Sequence, residues 1–120
     1  MVLAQAGDTR IVYLSIYLRD QEASRLVGQI FLHDYDRERQ ESLIGYHLFQ
    51  PQDLGHGLGI IELQLLIHYV QSQTAIRRLT IITDTENRAS QRIAEKCGFV
   101  YTGPAHEGLP LICYEWRRPP

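Results

Sequence analysis

The apolar pattern of this sequence first changes period at a glycine-rich stretch. Over residues 9–49 apolar side chains recur at every second position, the period of a strand; over residues 58–72 they recur at three and four, the period of a helix. Upstream, Val12, Leu14, Ile16 and Leu18 share one face of a strand while Ile11, Tyr13, Ser15 and Tyr17 share the other. After a polar turn at residues 20–24, Leu26, Gly28, Ile30 and Leu32 alternate with Val27, Gln29, Phe31 and His33, so the two strands read as a hairpin. A charged stretch, 34–41, separates it from a third strand, 43–49, which stops at Pro51 because proline cannot donate to a ladder. The three strands are expected to form an antiparallel meander.

Downstream, Leu63, Leu66, Ile67 and Val70 lie at helical spacing. Leu58, Ile60, Ile61 and Leu65 widen the stripe, so most of this helix is expected to be buried against a sheet. Residues 78–83 (RLTIIT) fit a buried strand, and strand, helix, strand in this order implies a right-handed crossover between parallel neighbours. Residues 87–96 read as a second helix with Asn87 as N-cap and Gly98 as its glycine stop, and 99–102 and 111–117 as two last strands around a Gly/Pro loop. The fold class is α/β (α+β): a mixed, mostly antiparallel sheet with a central helix in a βαβ crossover. At 120 residues, 44% apolar and 22% charged, the chain reads as one soluble domain, 1–120.

Composition removes several function classes. Twelve Lys and Arg against fourteen Asp and Glu leave a formal charge of −2, without the broad basic field that nucleic-acid binding needs. No run approaches the roughly 18 apolar residues of a membrane span. The two cysteines, Cys97 and Cys113, fit no zinc spacing and are too few to staple a secreted scaffold, which points to the cytoplasm. His33, His47, His56, His68 and His106 also fit no metal spacing, so no metal is expected.

The stretch Pro51-Gln52-Asp53-Leu54-Gly55-His56-Gly57-Leu58-Gly59 lies between the third strand and the central helix. Its glycines let backbone approach a ligand closely, and the first N–H groups of the helix carry about half a positive charge, a cradle suited to phosphate. A glycine-rich turn that merely packs tightly is the other reading. A Walker loop is excluded because Ile60 and Ile61 follow Gly59 where Lys and Ser/Thr are required. A dinucleotide fingerprint does not fit the spacing Gly-x-Gly-x-Gly after an antiparallel meander.

Three stretches taken together resemble the GNAT superfamily of acetyl-CoA-dependent N-acetyltransferases, in its RimJ/RimL-like branch. They are Ile44-Gly45-Tyr46; Pro51 through Gly57-Leu58-Gly59 into Leu63-Gln64-Leu65-Leu66-Ile67; and Thr83-Asp84-Thr85-Glu86-Asn87-Arg88-Ala89-Ser90-Gln91-Arg92-Ile93-Ala94-Glu95-Lys96-Cys97-Gly98-Phe99. The likeness covers residues 28–107, and its last stretch is the most specific. The resemblance implies that the coenzyme's pyrophosphate sits on Leu54, Gly55, His56, Gly57, Leu58 and Gly59. It implies that the pantetheine arm adds to the edge formed by His47, Leu48 and Phe49, where the third strand splays from the fourth. The family's Gln/Arg-x-x-Gly-x-Gly/Ala loop places its glycines at Gly57 and Gly59 and its Gln/Arg at Leu54, a departure. The register Gln52-x-x-Gly55-x-Gly57 satisfies the letters but shifts the helix's leucines by two positions.

Asn87 and Ser90 match the family's Asn-x-x-Ser, which touches the coenzyme near the pantetheine and sulfur. The tyrosine many members use to protonate the thiolate falls at Ala94, so Ser90 is the group left to hydrogen-bond the sulfur. Direct attack of an amine on the thioester needs an oriented pair, a stabilised oxyanion and a proton acceptor. Backbone N–H groups at a strand bulge near His47 and Leu48 are expected to serve the oxyanion. Glu107 resembles the family's Arg-Glu after Gly-Phe, with His106 in place of arginine, and is either a base acting directly or through water or an ordinary loop charge. His47 occupies a place where the family often has a large aromatic residue.

The expected activity is acetyl transfer from acetyl-CoA to a primary amine, a protein N-terminus or a small molecule. The alternative is a catalytically inactive CoA-binding or protein-interaction module. The family's usual strand and helices ahead of the hairpin are not recognised in this sequence, which leaves an open acceptor pocket, a homodimer that completes it, or lost catalysis.

Overall fold

The computed structural model describes residues 2–7, 12–19, 24–48 and 57–120. The described residues form strands β1 (Val2–Gly7), β2 (Val12–Arg19), β3 (Ser24–Asp36) and β4 (Glu41–Leu48), helix α1 (Leu58–Gln73), strand β5 (Arg78–Asp84), helix α2 (Arg88–Lys96), and strands β6 (Val100–Pro104) and β7 (Leu111–Arg117). One sheet holds all seven strands in the order β1-β2-β3-β4-β5-β7-β6. The meander expected over residues 9–49 is present: β1, β2, β3 and β4 pair antiparallel in succession. Strand β5 then joins β4 in parallel, as a strand–helix–strand connection requires, and pairs antiparallel with β7 on its other side.

Three expectations change. Residues 2–7, not recognised as a strand in the sequence, form β1 against β2, with Val2 opposite Tyr17 and Gly7 opposite Val12. A strand this short is held by its cross-strand partner more than by its own propensity. Strand β3 runs on through the charged stretch to Asp36, and only Arg37 to Gln40 make the turn. The buried side of α1 is narrower than expected, consisting of Gly59, Glu62, Leu63, Leu66 and Val70, while Ile61 is 41% exposed. One face of a helix lies on the sheet and the opposite face meets water, so Ile61 does not share the environment of Leu63.

The core forms between that stripe and the sheet. Ile30 and Leu32 of β3, Ile44 of β4, and Leu79 and Ile81 of β5 pack with Leu63, Leu66 and Val70 of α1 and Ala94 of α2. Each such side chain, taken fully out of water, contributes roughly 1.5–3 kcal/mol. Gly98 at φ 87° ends α2, with its N–H and that of Phe99 bonded back to Glu95 and Ala94, so the predicted glycine stop is real.

The far end of α1 is tied down by Arg118. Its Nε donates to the Ile76 carbonyl at 3.0 Å, Nη1 to Gln71 at 3.1 Å, and Nη2 to Val70 and Thr74 at 2.9 and 3.0 Å. A planar cation thus adds donors to carbonyls of the last helical turn and of the residues just beyond it, and it sits at the negative end of the helix dipole. Replacement Arg118→Ala is expected to lower stability by roughly 1.5–3 kcal/mol in urea unfolding. Arg118→Lys should recover only part of the loss, because an ammonium cannot fork across four carbonyls.

Candidate active site

Strands β4 and β5 run together for only four residues. Glu41, Ser42, Leu43 and Ile44 lie opposite Arg78, Leu79, Thr80 and Ile81, and the pairing ends there. Beyond that point β4 keeps its pairing with β3 as far as Leu48 opposite Gly28, while β5 keeps its pairing with β7 as far as Asp84 opposite Leu111. Each strand follows its own outer neighbour, and the sheet opens into a wedge. A cavity of about 690 Å³ occupies it, within the usual range for small-molecule sites. Its walls come from Ile44 and Gly45 of β4, from Ile81, Ile82 and Thr83 of β5, and from the facing ends of α1 and α2. Gly45 is required here because Phe31 of β3 lies against the place a side chain would fill.

The splayed edge expected at His47 and Leu48 is therefore present in the backbone of β4. The bulge expected there is not: the β3–β4 register is continuous from Leu43 to Leu48, and its irregularity lies between His33 and Asp36. The edge of β4 is freed because β5 departs, without an extra residue in the ladder. Phe49, Leu54, Gly55 and His56 lie outside the described residues.

Gly57 precedes α1 in the left-handed conformation, φ 75°, and among the described residues no side chain caps the helix start. Its carbonyl accepts from Ile61 N–H at 3.2 Å, and the first turn contains no acidic residue. The leading N–H groups of a helix have no intrahelical partner, so this end carries exposed donors and positive potential, and Gly57, Leu58 and Gly59 line the cavity. Gly59 also lets α2 come close: a Cβ there would stand 2.6 Å from Ile93 Cδ1. From α2 the cavity receives Asn87 and Ser90, as expected, and two cations that sequence reasoning did not single out, Arg92 and Lys96. Their four-residue spacing beside Ile93 places them on one helix face, a signal present in the sequence. Asn87 is also a cap, its Oδ1 accepting from Ser90 N–H at 3.1 Å. Capping and lining the cavity are compatible, since the amide nitrogen of Asn87 is not used by the cap.

Glu107 is not brought to the cavity. It is exposed on the turn between β6 and β7, which closes on itself through Ala105 N–H to Leu111 O and Leu109 N–H to His106 O. The hairpin carries this residue outward, so its position after Gly98-Phe99 in sequence does not place it in the wedge.

The acid that does line the wedge is Glu62, which sequence reasoning missed. It is one turn into α1, on the stripe with Gly59, Leu63 and Leu66, and its relative exposure is 0%. Neither carboxyl oxygen has a hydrogen-bond partner among the described residues. Burial pushes its pKa from 4.5 up to about 8. The carboxyl is therefore protonated at neutral pH, and leaving its polar atoms unpartnered costs about 1–3 kcal/mol. The signal was an acid in the middle of an apolar helix face.

The sequence pattern of the acetyltransferase (GNAT) domain family matches residues 3–100, and the chain belongs to that family. It is 30% identical over 84 residues to the putative ribosomal N-acetyltransferase YdaF of Bacillus subtilis (strain 168), covering 70% of this chain and 45% of the relative. The chain thus spans about half the length of that curated relative. A solved domain from Methanocaldococcus jannaschii DSM 2661 superposes with a TM-score of 0.80 at 19% identity, over 92% of this chain and 69% of that one. RimL, a ribosomal L7/L12 alpha-N-protein acetyltransferase solved in complex with coenzyme A, superposes with a TM-score of 0.76 at 21% identity, over 90% and 62%. At these identities the two structures establish the shared fold.

The pKa of Glu62 makes stability depend on pH in a defined direction. The unfolded carboxyl releases its proton near 4.5 and the folded one only near 8, so between these values the folded chain holds more protons and stability falls as pH rises. The slope contributed is at most about 1.4 kcal/mol per pH unit. Glu62→Gln is expected to match the wild type in urea unfolding near pH 4.5 and to be progressively more stable up to pH 8. A difference that stays constant with pH would mean that Glu62 is ionised or paired in the native state.

Proposed function

We propose that this GNAT domain, residues 1–120, transfers the acetyl group of acetyl-CoA to a primary amine. The observation that carries the reading is the start of α1, which no described side chain caps, opening onto the cavity where β4 and β5 part. A diphosphate is matched by the helix N-terminus and by Arg92 and Lys96, and an extended arm by the free edge of β4. Membership of the family and the coenzyme bound to RimL support acetyl-CoA as the cosubstrate.

The loop from Leu54 through Gly55, His56, Gly57 and Leu58 to Gly59 holds the diphosphate by backbone N–H groups. The arm lies along His47, Leu48 and Phe49. Asn87 and Ser90 face its sulfur end, and the Ser90 hydroxyl donates a hydrogen bond to the departing thiolate, which takes its proton from water. Backbone N–H groups on the free edge of β4 stabilise the oxyanion. The amine's proton passes to water, because Glu107 lies exposed on its turn away from the cavity. No metal takes part. The names of the relatives make a protein N-terminus the first acceptor to try and a polyamine the second. Two free cysteines are consistent with the cytoplasm. Exposed Val100, Tyr101 and Leu109 supply apolar surface for a homodimer.

Calorimetric titration with coenzyme A, run beside a thiol-release assay over peptide N-termini and polyamines, tests this reading. Binding together with amine-dependent thiol release is expected. Ser90→Ala should reduce kcat about 10²-fold while changing KM for acetyl-CoA less than about threefold. Binding without released thiol under any amine would identify an inactive coenzyme-binding module, and folded protein that binds no coenzyme would end the proposal.

A further inference from the structure

Glu62 has a feature that the proposed transfer does not use. It is fully buried, both its oxygens are unpartnered among the described residues, and it belongs to the wall of the wedge cavity. The same wall holds Ile44 of β4, Ile81 and Ile82 of β5 and Ile93 of α2, beside the polar and cationic side chains that α2 contributes. Nothing in this packing requires an acid. A leucine would continue the stripe of Leu63 and Leu66 at similar volume and with no polar atoms to satisfy.

Its chemistry restricts the partner. A neutral carboxyl has one O–H to donate and a carbonyl to accept with, whereas an ionised one only accepts. The described elements packed around it present few charges: Arg92 and Lys96 on α2, beside the neutral thiol of Cys97 at that helix's end, none from the β4 and β5 residues that line the cavity, and no other charged residue within a turn of it on α1. The titration of Glu62 is governed by burial, without a resolved contribution from either cation. A negative ligand group at the start of α1, one turn away, would favour the neutral form further. The complementary group is therefore an uncharged acceptor on a ligand whose anionic end rests on the helix start.

Resting on the reading of the cavity as an acetyl-CoA site, we propose that Glu62 is a coenzyme-binding residue whose protonated carboxyl donates a hydrogen bond to an amide carbonyl of the pantetheine arm. Coenzyme binding is then linked to a proton. Affinity is full while Glu62 is neutral and declines once the free carboxyl ionises, because the ligand must recruit a proton to restore the donor.

The test is calorimetric titration of the whole chain with acetyl-CoA from about pH 6.5 to 9, in buffers of different ionisation enthalpy. The wild type should bind most tightly at the acid end of this range and lose affinity above about pH 8, approaching tenfold per unit, with proton uptake appearing over the same interval. Glu62→Gln, which keeps an N–H donor at every pH, should bind within about threefold of the wild type at about pH 6.5. It should also lose the excess pH dependence and the excess proton uptake. Glu62→Leu should fold and bind at least about tenfold more weakly at that pH, where the donor is otherwise present. Identical affinity profiles for the wild type and the Glu62→Gln variant would overturn the assignment and leave the acetyl-CoA reading intact. So would unchanged acetyl-CoA affinity together with a raised KM for the amine, which would place the carboxyl against the acceptor. No acetyl-CoA binding by folded wild type at any pH would overturn both.

Discussion

Every feature of the site depends on one fact of strand pairing: β4 and β5 are partners for four residues and then separate. Main-chain N–H and C=O groups must be bonded, so two strands part only where something else satisfies them. Beyond Ile44 and Ile81 the outer neighbours β3 and β7 retain their pairings, which leaves the inner edges open to water or ligand. The closed end is held by charge. Arg78 reaches Glu41 of β4 at 3.1 Å and Glu115 of β7 at 3.0 Å, tying three strands together at the root of the wedge. The exposure of these side chains makes the tie modest in energy, and its position is the more informative feature.

An acid within such a wedge creates a conflict between folding and binding. Burial drives Glu62 toward neutrality, and at neutral pH the folded chain carries a polar group that water would otherwise have satisfied. A purely structural solution would place a leucine there. The strain stays local because Leu63, Leu66 and Val70 on the same face supply apolar burial on either side of the chemistry.

The alternation from Val12 to Leu32 was legible because a sheet with one face on helices forces a period of two, and Gly28, Ile30 and Leu32 are indeed the buried set of β3. The two helices were legible from apolar spacing and from Asn87 and Gly98, whose cap and left-handed stop both exist. Strand β1 was not, since six residues of mixed character acquire strand structure only from their partner β2. Glu62 escaped because a stripe counted from apolar residues passes over the acid within it. The two readings of Glu107 were not separable for a related reason: proximity to Gly98 and Phe99 along the chain says nothing of where a hairpin tip points. The cations Arg92 and Lys96 were written plainly in α2, but only the close approach of the two helices at Gly59 and Ile93 turns them toward the cavity.

The asymmetry of α1 joins these observations. Both ends of a helix carry main-chain groups without partners, and a fold usually satisfies both with side chains or water. Here the C-terminal carbonyls receive the guanidinium of Arg118, whereas among the described residues no side chain reaches the N-terminal donors, which face a cavity. The negative end of the dipole is neutralised and the positive end is kept. Had Gly57 been a serine or an aspartate, its side chain would cap α1 and compete with any anion for the same donors. A glycine in the left-handed conformation bends the chain into the helix while contributing no competing oxygen from a side chain. The residue that opens the site and the residue that closes the opposite end of the helix therefore act on one dipole, and together they direct its unsatisfied charge at the space between β4 and β5.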